Sequence, residues 1–193
     1  MNPLGELWLP DLSHEPSPNA DERPAGADVD LLVIHSISLP PGQFGGGYIR
    51  DLFLNRLDPD AHPYFREIAH LEVSAHLLVR RDGSAIQFVA LDRRAWHAGL
   101  SNFCGRERCN DFSIGIELEG SDETPFTAAQ YARLATLTLQ VQALFPAIGE
   151  QRIVGHSDIA PGRKTDPGPC FDWARYRQQL NRLAASGQHI GNT

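Results

Sequence analysis

The pattern of apolar and polar positions divides the chain into several short strands followed by two helices. Residues 30–35, Asp30-Leu31-Leu32-Val33-Ile34-His35, form an unbroken apolar run closed by a histidine, the pattern of a strand buried on both faces. Residues 39–47 carry two prolines and four glycines and must form a loop. Residues 74–80 and 85–89 read as strands joined by the turn Arg81-Asp82-Gly83-Ser84, so they predict a hairpin. Two more strands are expected over residues 113–119 and 152–156. Thr127 and Gln130 predict a capping box, with Phe126 and Tyr131 placed for a hydrophobic staple. The stripe Tyr131, Leu134, Leu137, Val141, Leu144 has helical spacing, and Pro146 ends it. A second helix begins at Asp172 and carries Trp173, Tyr176, Leu180 and Leu183 on one face.

This order of elements predicts a single α+β domain over residues 29–185, a central mixed β-sheet flanked by helices. Its 193 residues suffice to bury one core without disulfides. Residues 1–28 are rich in Pro, Asp, Glu and Ala and are expected to form an irregular N-terminal arm, while residues 186–193 are expected to fray. A net charge of -7 argues against nucleic acid as a partner. The apolar runs fall short of a membrane span, and the first residues lack the charged and apolar regions of a signal peptide. Three cysteines cannot pair completely and suit a reducing compartment. The expectation is a cytoplasmic monomer that binds neither nucleic acid nor membrane.

The candidate chemistry sits where strands end. His35 and His156 each close an apolar strand, the place where open sheets carry functional groups. Asp166 follows in a Pro/Gly-rich loop, and two imidazoles with one carboxylate form a catalytic zinc set that leaves a fourth position open. The residues alone leave the alternative that both histidines are hydrogen-bonded core groups. Glu117 and Glu119 share one face of a largely apolar strand, where a carboxylate is costly unless paired or functional. Glu117 is therefore a candidate base, with an arginine ion pair as its alternative. Lys164 is the sole lysine among 17 basic residues and lies in the segment that carries Asp166, which makes its compact ammonium a candidate for chemistry. Cys104 and Cys109 lack a second Cys/His pair, and Gly45 to Gly47 lack the companions of a phosphate loop. His76 and His97 stay open between structural and functional roles. His14, His62, His70 and His189 receive none.

Several segments together resemble the AmpD-type amidases, zinc enzymes related to peptidoglycan recognition proteins. They are Leu32 to His35 with Ile37 to Gly42, His62 to Phe65, Val73 to His76, Arg94 to Gly99, Asn110 to Gly120, and Gly155 to Pro169. Order and spacing hold from about residue 30 to 177, and the last segment is the most specific. The resemblance implies a zinc site at the C-terminal ends of strands, with His35, His156 and Asp166 binding Zn2+. It implies Glu117 as general base and Lys164 as the cation facing developing charge. Arg108, Arg163, Trp96 and Asp158 would contact substrate. The implied reaction is hydrolysis of the amide between the lactyl group of 1,6-anhydro-N-acetylmuramic acid and L-alanine, in small 1,6-anhydromuropeptides. An exported amidase acting on intact peptidoglycan and a non-catalytic peptidoglycan-binding module are the competing readings. Ser36 stands where the family has asparagine, and Glu72 where close relatives have arginine. Both departures bear on substrate preference.

Overall fold

The computed structural model describes residues 7–188, with side chains through Ser186. Two short strands, β1 (Ser13–His14) and β2 (Ala20–Asp21), precede the long strand β3 (Leu31–Ile37). Helices α1 (Tyr48–Phe53) and α2 (Phe65–Ile68) lead to the hairpin strands β4 (Leu77–Val79) and β5 (Ala85–Gln87). Next come β6 (Arg94–Ala95), the small hairpin of β7 (Asn102–Phe103) and β8 (Arg106–Glu107), and the second long strand β9 (Ser113–Glu119). The chain then forms α3 (Ala128–Leu144), β10 (Ile153–Gly155), the single-turn α4 (His156–Ile159) and α5 (Trp173–Gln188).

Six strands form one sheet in the order β1-β5-β4-β9-β3-β10. The four strands from β4 to β10 run parallel, β5 is antiparallel to β4, and β1 is parallel to β5. The sheet is mixed, as the sequence predicts. Period-two geometry explains how it divides its work. Leu32 and Ile34 of β3, with Ile114, Ile116 and Leu118 of β9, point toward α3 and α5 and join Leu134, Leu137 and Tyr176 in the main core. Leu31 and Val33 point to the opposite face and pack with Phe112 and Ile159. All four side chains Leu31 to Ile34 are fully buried, each contributing about 1.5–3 kcal/mol. His35 and Glu117 have odd numbers, so they stand on the face away from the two long helices, and the register places them side by side.

The capping box of α3 is present: Gln130 donates its N–H to Thr127 Oγ1 at 3.1 Å, and Thr127 donates its own to Gln130 Oε1 at 3.0 Å. Gln130 Nε2 also donates to the Glu119 carbonyl at 2.9 Å, which fixes the helix start to the end of β9. The N-terminal arm, expected to be irregular, carries two short pairings and an anchoring arginine. Residues 13–14 pair with β5, residues 20–21 pair with β6, and the Arg23 guanidinium donates to the carbonyls of Asn110 and Ser113 at 3.0 and 2.9 Å. A two-residue pairing has no hydrophobic period, so pattern could not reveal it. The helix α5 runs through Gln188, past the expected start of fraying, while residues 189–193 of that tail lie outside the described residues.

Candidate metal and active site

Three elements bring the metal-ligating candidates together. His35 stands in the C-terminal half of β3, and His156 opens α4 immediately after the neighbouring strand β10. Asp166 arrives on the loop that follows α4, whose backbone is clamped where Ser157 donates its N–H to the Asp166 carbonyl at 2.9 Å. Gly155 permits this approach, because a Cβ there would stand 2.8 Å from Pro167 Cδ. His35 Nδ1 and His156 Nδ1 lie 3.0 Å apart, and each is 3.1 Å from Asp166 Oδ2. The donors of a tetrahedral zinc, each 2.0–2.1 Å from the ion, stand about 3.3 Å apart. The triplet therefore has the size of a metal cradle, and His35, His156 and Asp166 form such a group among the described residues.

Tautomers strengthen this fit. His156 Nε2 lies 3.1 Å from the Ala98 carbonyl, which also accepts from Arg163 and has no proton to give, so a hydrogen bond there puts the proton on Nε2. His35 Nε2 faces His97 Nδ1 at 2.9 Å. With protons on the outer nitrogens, two imidazole lone pairs and a carboxylate oxygen face one another at hydrogen-bond distance with no proton between them. A cation relieves that repulsion.

Electrostatics point the same way. Burial lowers the His35 pKa to about 4, which keeps it neutral as a ligand must be. Burial, and then the negative Asp166, push Glu117 well above the usual carboxylate range, while Lys164 pulls it down. Glu117 Oε2 is buried and has no hydrogen-bond partner among the described residues. Among the described residues no arginine forms an ion pair with it.

A cavity of about 460 Å³ opens over these groups. Glu117, Lys164 and Asp166 line its polar side, and Leu39, Tyr64 and Trp96 contribute to its apolar side. Trp96 is steadied from the arm, its Nε1 donating to Asp21 Oδ1 at 3.1 Å. Arg163 lines the cavity while donating to the carbonyls of Ala98 and Leu100 at 2.7 and 2.6 Å. Ser36 also lines it, and Glu72 lies in an adjoining recess with Arg163 and Lys164.

Two expected cleft residues are placed elsewhere. The Asp158 carboxylate accepts the Gly155 N–H at 2.7 Å, capping α4, and does not line this cavity. Arg108 pairs with Asp111 at 3.2 Å and lines a separate depression that it shares with Arg163. In both cases a nearby backbone or carboxylate group claims the side chain. Glu119 is also turned away from chemistry: its carboxylate accepts the N–H groups of Gly45 and Arg81 and anchors the glycine-rich loop. Sequence reasoning left His97 open and passed over Ser113 and Asn110. The structure puts all three directly behind the metal cradle.

A family model described as N-acetylmuramoyl-L-alanine amidase matches residues 25–169. The 1,6-anhydro-N-acetylmuramyl-L-alanine amidase AmpD of Enterobacter cloacae is 60% identical over 173 residues, covering 90% of this chain and 92% of that protein. A crystal structure of a selenomethionine AmpD derivative matches with a TM-score of 0.87 at 57% identity, covering 90% of this chain and 96% of the other. The E. coli amidase AmiD, solved with anhydro-N-acetylmuramic acid-L-Ala-D-gamma-Glu-L-Lys as substrate, matches at 30% identity with a TM-score of 0.59. That match covers 83% of this chain and 65% of AmiD.

Proposed function

The chain belongs to the N-acetylmuramoyl-L-alanine amidase family, and from that premise we propose a specific reaction and set of roles. The enzyme hydrolyses the amide between the lactyl group of 1,6-anhydro-N-acetylmuramic acid and L-alanine, in small fragments of cell-wall turnover. The observation that carries this reading is the convergence of two imidazole nitrogens and a carboxylate oxygen at 3.0–3.1 Å beneath a cavity. An unpartnered buried Glu117 oxygen belongs to the same cavity.

His35, His156 and Asp166 hold Zn2+, for which a nitrogen and oxygen donor set with one open position is suited. When bound, zinc supplies a Lewis acid that polarises a carbonyl and acidifies water to a pKa near 7. Glu117 accepts the proton of the attacking water. Its raised proton affinity suits that task, because a general base works best near the operating pH. The water oxygen becomes bonded to the lactyl carbonyl carbon, and negative charge develops on the carbonyl oxygen beside Lys164. A cation preorganised at such a position is worth ~3 kcal/mol of barrier. Glu117 then passes its proton to the alanine nitrogen as the C–N bond breaks, leaving a lactyl acid and a free amine. Trp96 supplies an apolar surface for the sugar, and Arg163 a positive charge for carboxylates of the stem peptide. In this reading the protein is a cytoplasmic monomer that recycles imported fragments. Among the described residues no helix is long and apolar enough to cross a membrane.

Mass spectrometry of the products tests the reading. Incubation with 1,6-anhydro-N-acetylmuramyl-tripeptide should yield the anhydro sugar with a free lactyl acid and an intact tripeptide beginning with alanine. Cleavage between alanine and the next residue, or no cleavage by zinc-loaded protein, would overturn it.

A further inference from the structure

Behind the metal cradle, a line of hydrogen bonds leads from His35 into the protein. His35 Nε2 meets His97 Nδ1 at 2.9 Å, His97 Nε2 meets Ser113 Oγ at 3.1 Å, and Ser113 Oγ meets the Cys109 carbonyl at 2.6 Å. The last contact fixes all the protons. Two oxygens 2.6 Å apart attract only with a proton between them, and a carbonyl has none to give. Ser113 therefore donates to Cys109, and its only proton is spent. It must accept from His97, so the His97 proton lies on Nε2. His97 is enclosed among His35, His76 and Ser113, and its Nδ1 lies at hydrogen-bond distance from the His35 ring. Its Nδ1 is then a lone pair that accepts the Nε2–H of His35. The Nδ1 of His35 is left open, facing His156 and Asp166.

We propose that His97 and Ser113 are positioning residues that hold His35 in the single tautomer able to ligate a metal through Nδ1. The site is built around this relay. In the middle of β9, Gly115 has no side chain, and a Cβ there would stand 2.6 Å from the His97 ring. The strand leaves out one side chain in the space that the imidazole fills. Asn110 holds the relay in place from the backbone, its Oδ1 accepting the N–H groups of His97 at 3.2 Å and Ala98 at 2.7 Å. Because the Ala98 carbonyl in turn accepts from His156 Nε2, one braced segment orients both histidine ligands. Outer partners of this kind commonly govern metal affinity by about 10–100-fold.

The inference rests on His35 being a metal ligand, and two readouts separate the claims. Nitrogen-15 histidine NMR on metal-free protein reads the tautomer, and chelator competition reads zinc affinity. Wild type should show His35 protonated on Nε2 and should bind zinc. His97→Phe keeps an aromatic ring but removes the acceptor; it should lose the single tautomer and weaken zinc binding by about 10–100-fold. His97→Asn places an amide oxygen near the former Nδ1 and should recover most of that loss. Ser113→Ala frees the His97 proton with little change in volume and should shift both readouts in the same direction as His97→Phe. It decides the matter should His97→Phe fail to fold. An unchanged tautomer and zinc affinity in the folded variants would overturn the relay alone. A wild type that binds no zinc would overturn the metal reading and the relay with it.

Discussion

Lys164 and Glu117 are coupled at the scale of single residues, and that coupling can be tested. Lys164 is exposed at the rim of the cavity, while Glu117 lies beneath it with one oxygen unpartnered. The ammonium lowers a Glu117 carboxyl that burial and Asp166 raise. A base must be deprotonated to act, so activity falls as pH drops through the Glu117 pKa. Removing the positive charge raises that pKa. Lys164→Ala should therefore shift the acid limb of the kcat/KM profile to higher pH. It should also cut kcat by roughly 10²–10³-fold, the cost of losing one donor to an oxyanion. Zinc content, read by elemental analysis, should stay at the wild-type level, because Lys164 donates nothing to the cradle. An acid limb that stays in place would remove Lys164 from the chemistry. These residues are legible in the sequence, since a lone lysine and a carboxylate in an apolar strand violate local expectation. His97 is not legible. Its role comes from the empty space at Gly115 and from Ser113 across the fold, and neither leaves a mark in the spacing of the sequence.

The elements found from sequence are those with enough residues to show a period. The strand β3, the strand β9 and the helix α3 each announce themselves through apolar runs or a capping box. The pairings of residues 13–14 with β5 and of residues 20–21 with 94–95 involve two residues on each side and depend on partners far along the chain. The helix α3 does more than close the core, because its first turn is tied both to β9 and to the turn before β5. Thr127 Oγ1 donates to the Arg81 carbonyl at 2.7 Å while accepting from Gln130. Thr127→Ala should therefore destabilise the fold by at least the ~1 kcal/mol of a lost cap. Urea denaturation should show a lower midpoint with an unchanged slope. An unchanged midpoint would mean that the cap is redundant with packing.

For the whole molecule, one sheet separates two environments. Its even-numbered face in β3 and β9 is covered by long helices and carries stability, and its odd-numbered face carries a file of buried histidines. His156, His35, His97 and His76 follow one another with neighbouring ring centroids 4.4, 5.0 and 5.7 Å apart. Burial lowers the pKa of His76 to about 3 and of His35 to about 4, against an ordinary histidine value of 6.5. In the unfolded chain these groups take up protons as pH falls below 6.5, while the folded protein takes them up only near 4 and 3. The contribution of these two histidines to stability is therefore complete above pH 6.5 and is lost between 6.5 and about 3. Each tenfold difference in proton affinity is worth about 1.4 kcal/mol, so the loss amounts to several kcal/mol. Calorimetry of metal-free protein should show the melting temperature falling steadily across that range. A flat profile would mean that these imidazoles are not buried as described.

The measurement that bears most directly on the central claim is a chelation and reconstitution series on purified protein with 1,6-anhydro-N-acetylmuramyl-tripeptide. Stripping the metal should abolish release of the tripeptide, and one equivalent of zinc should restore it, with Asp166→Ala failing to recover. Full activity in protein shown to be free of metal would contradict the account.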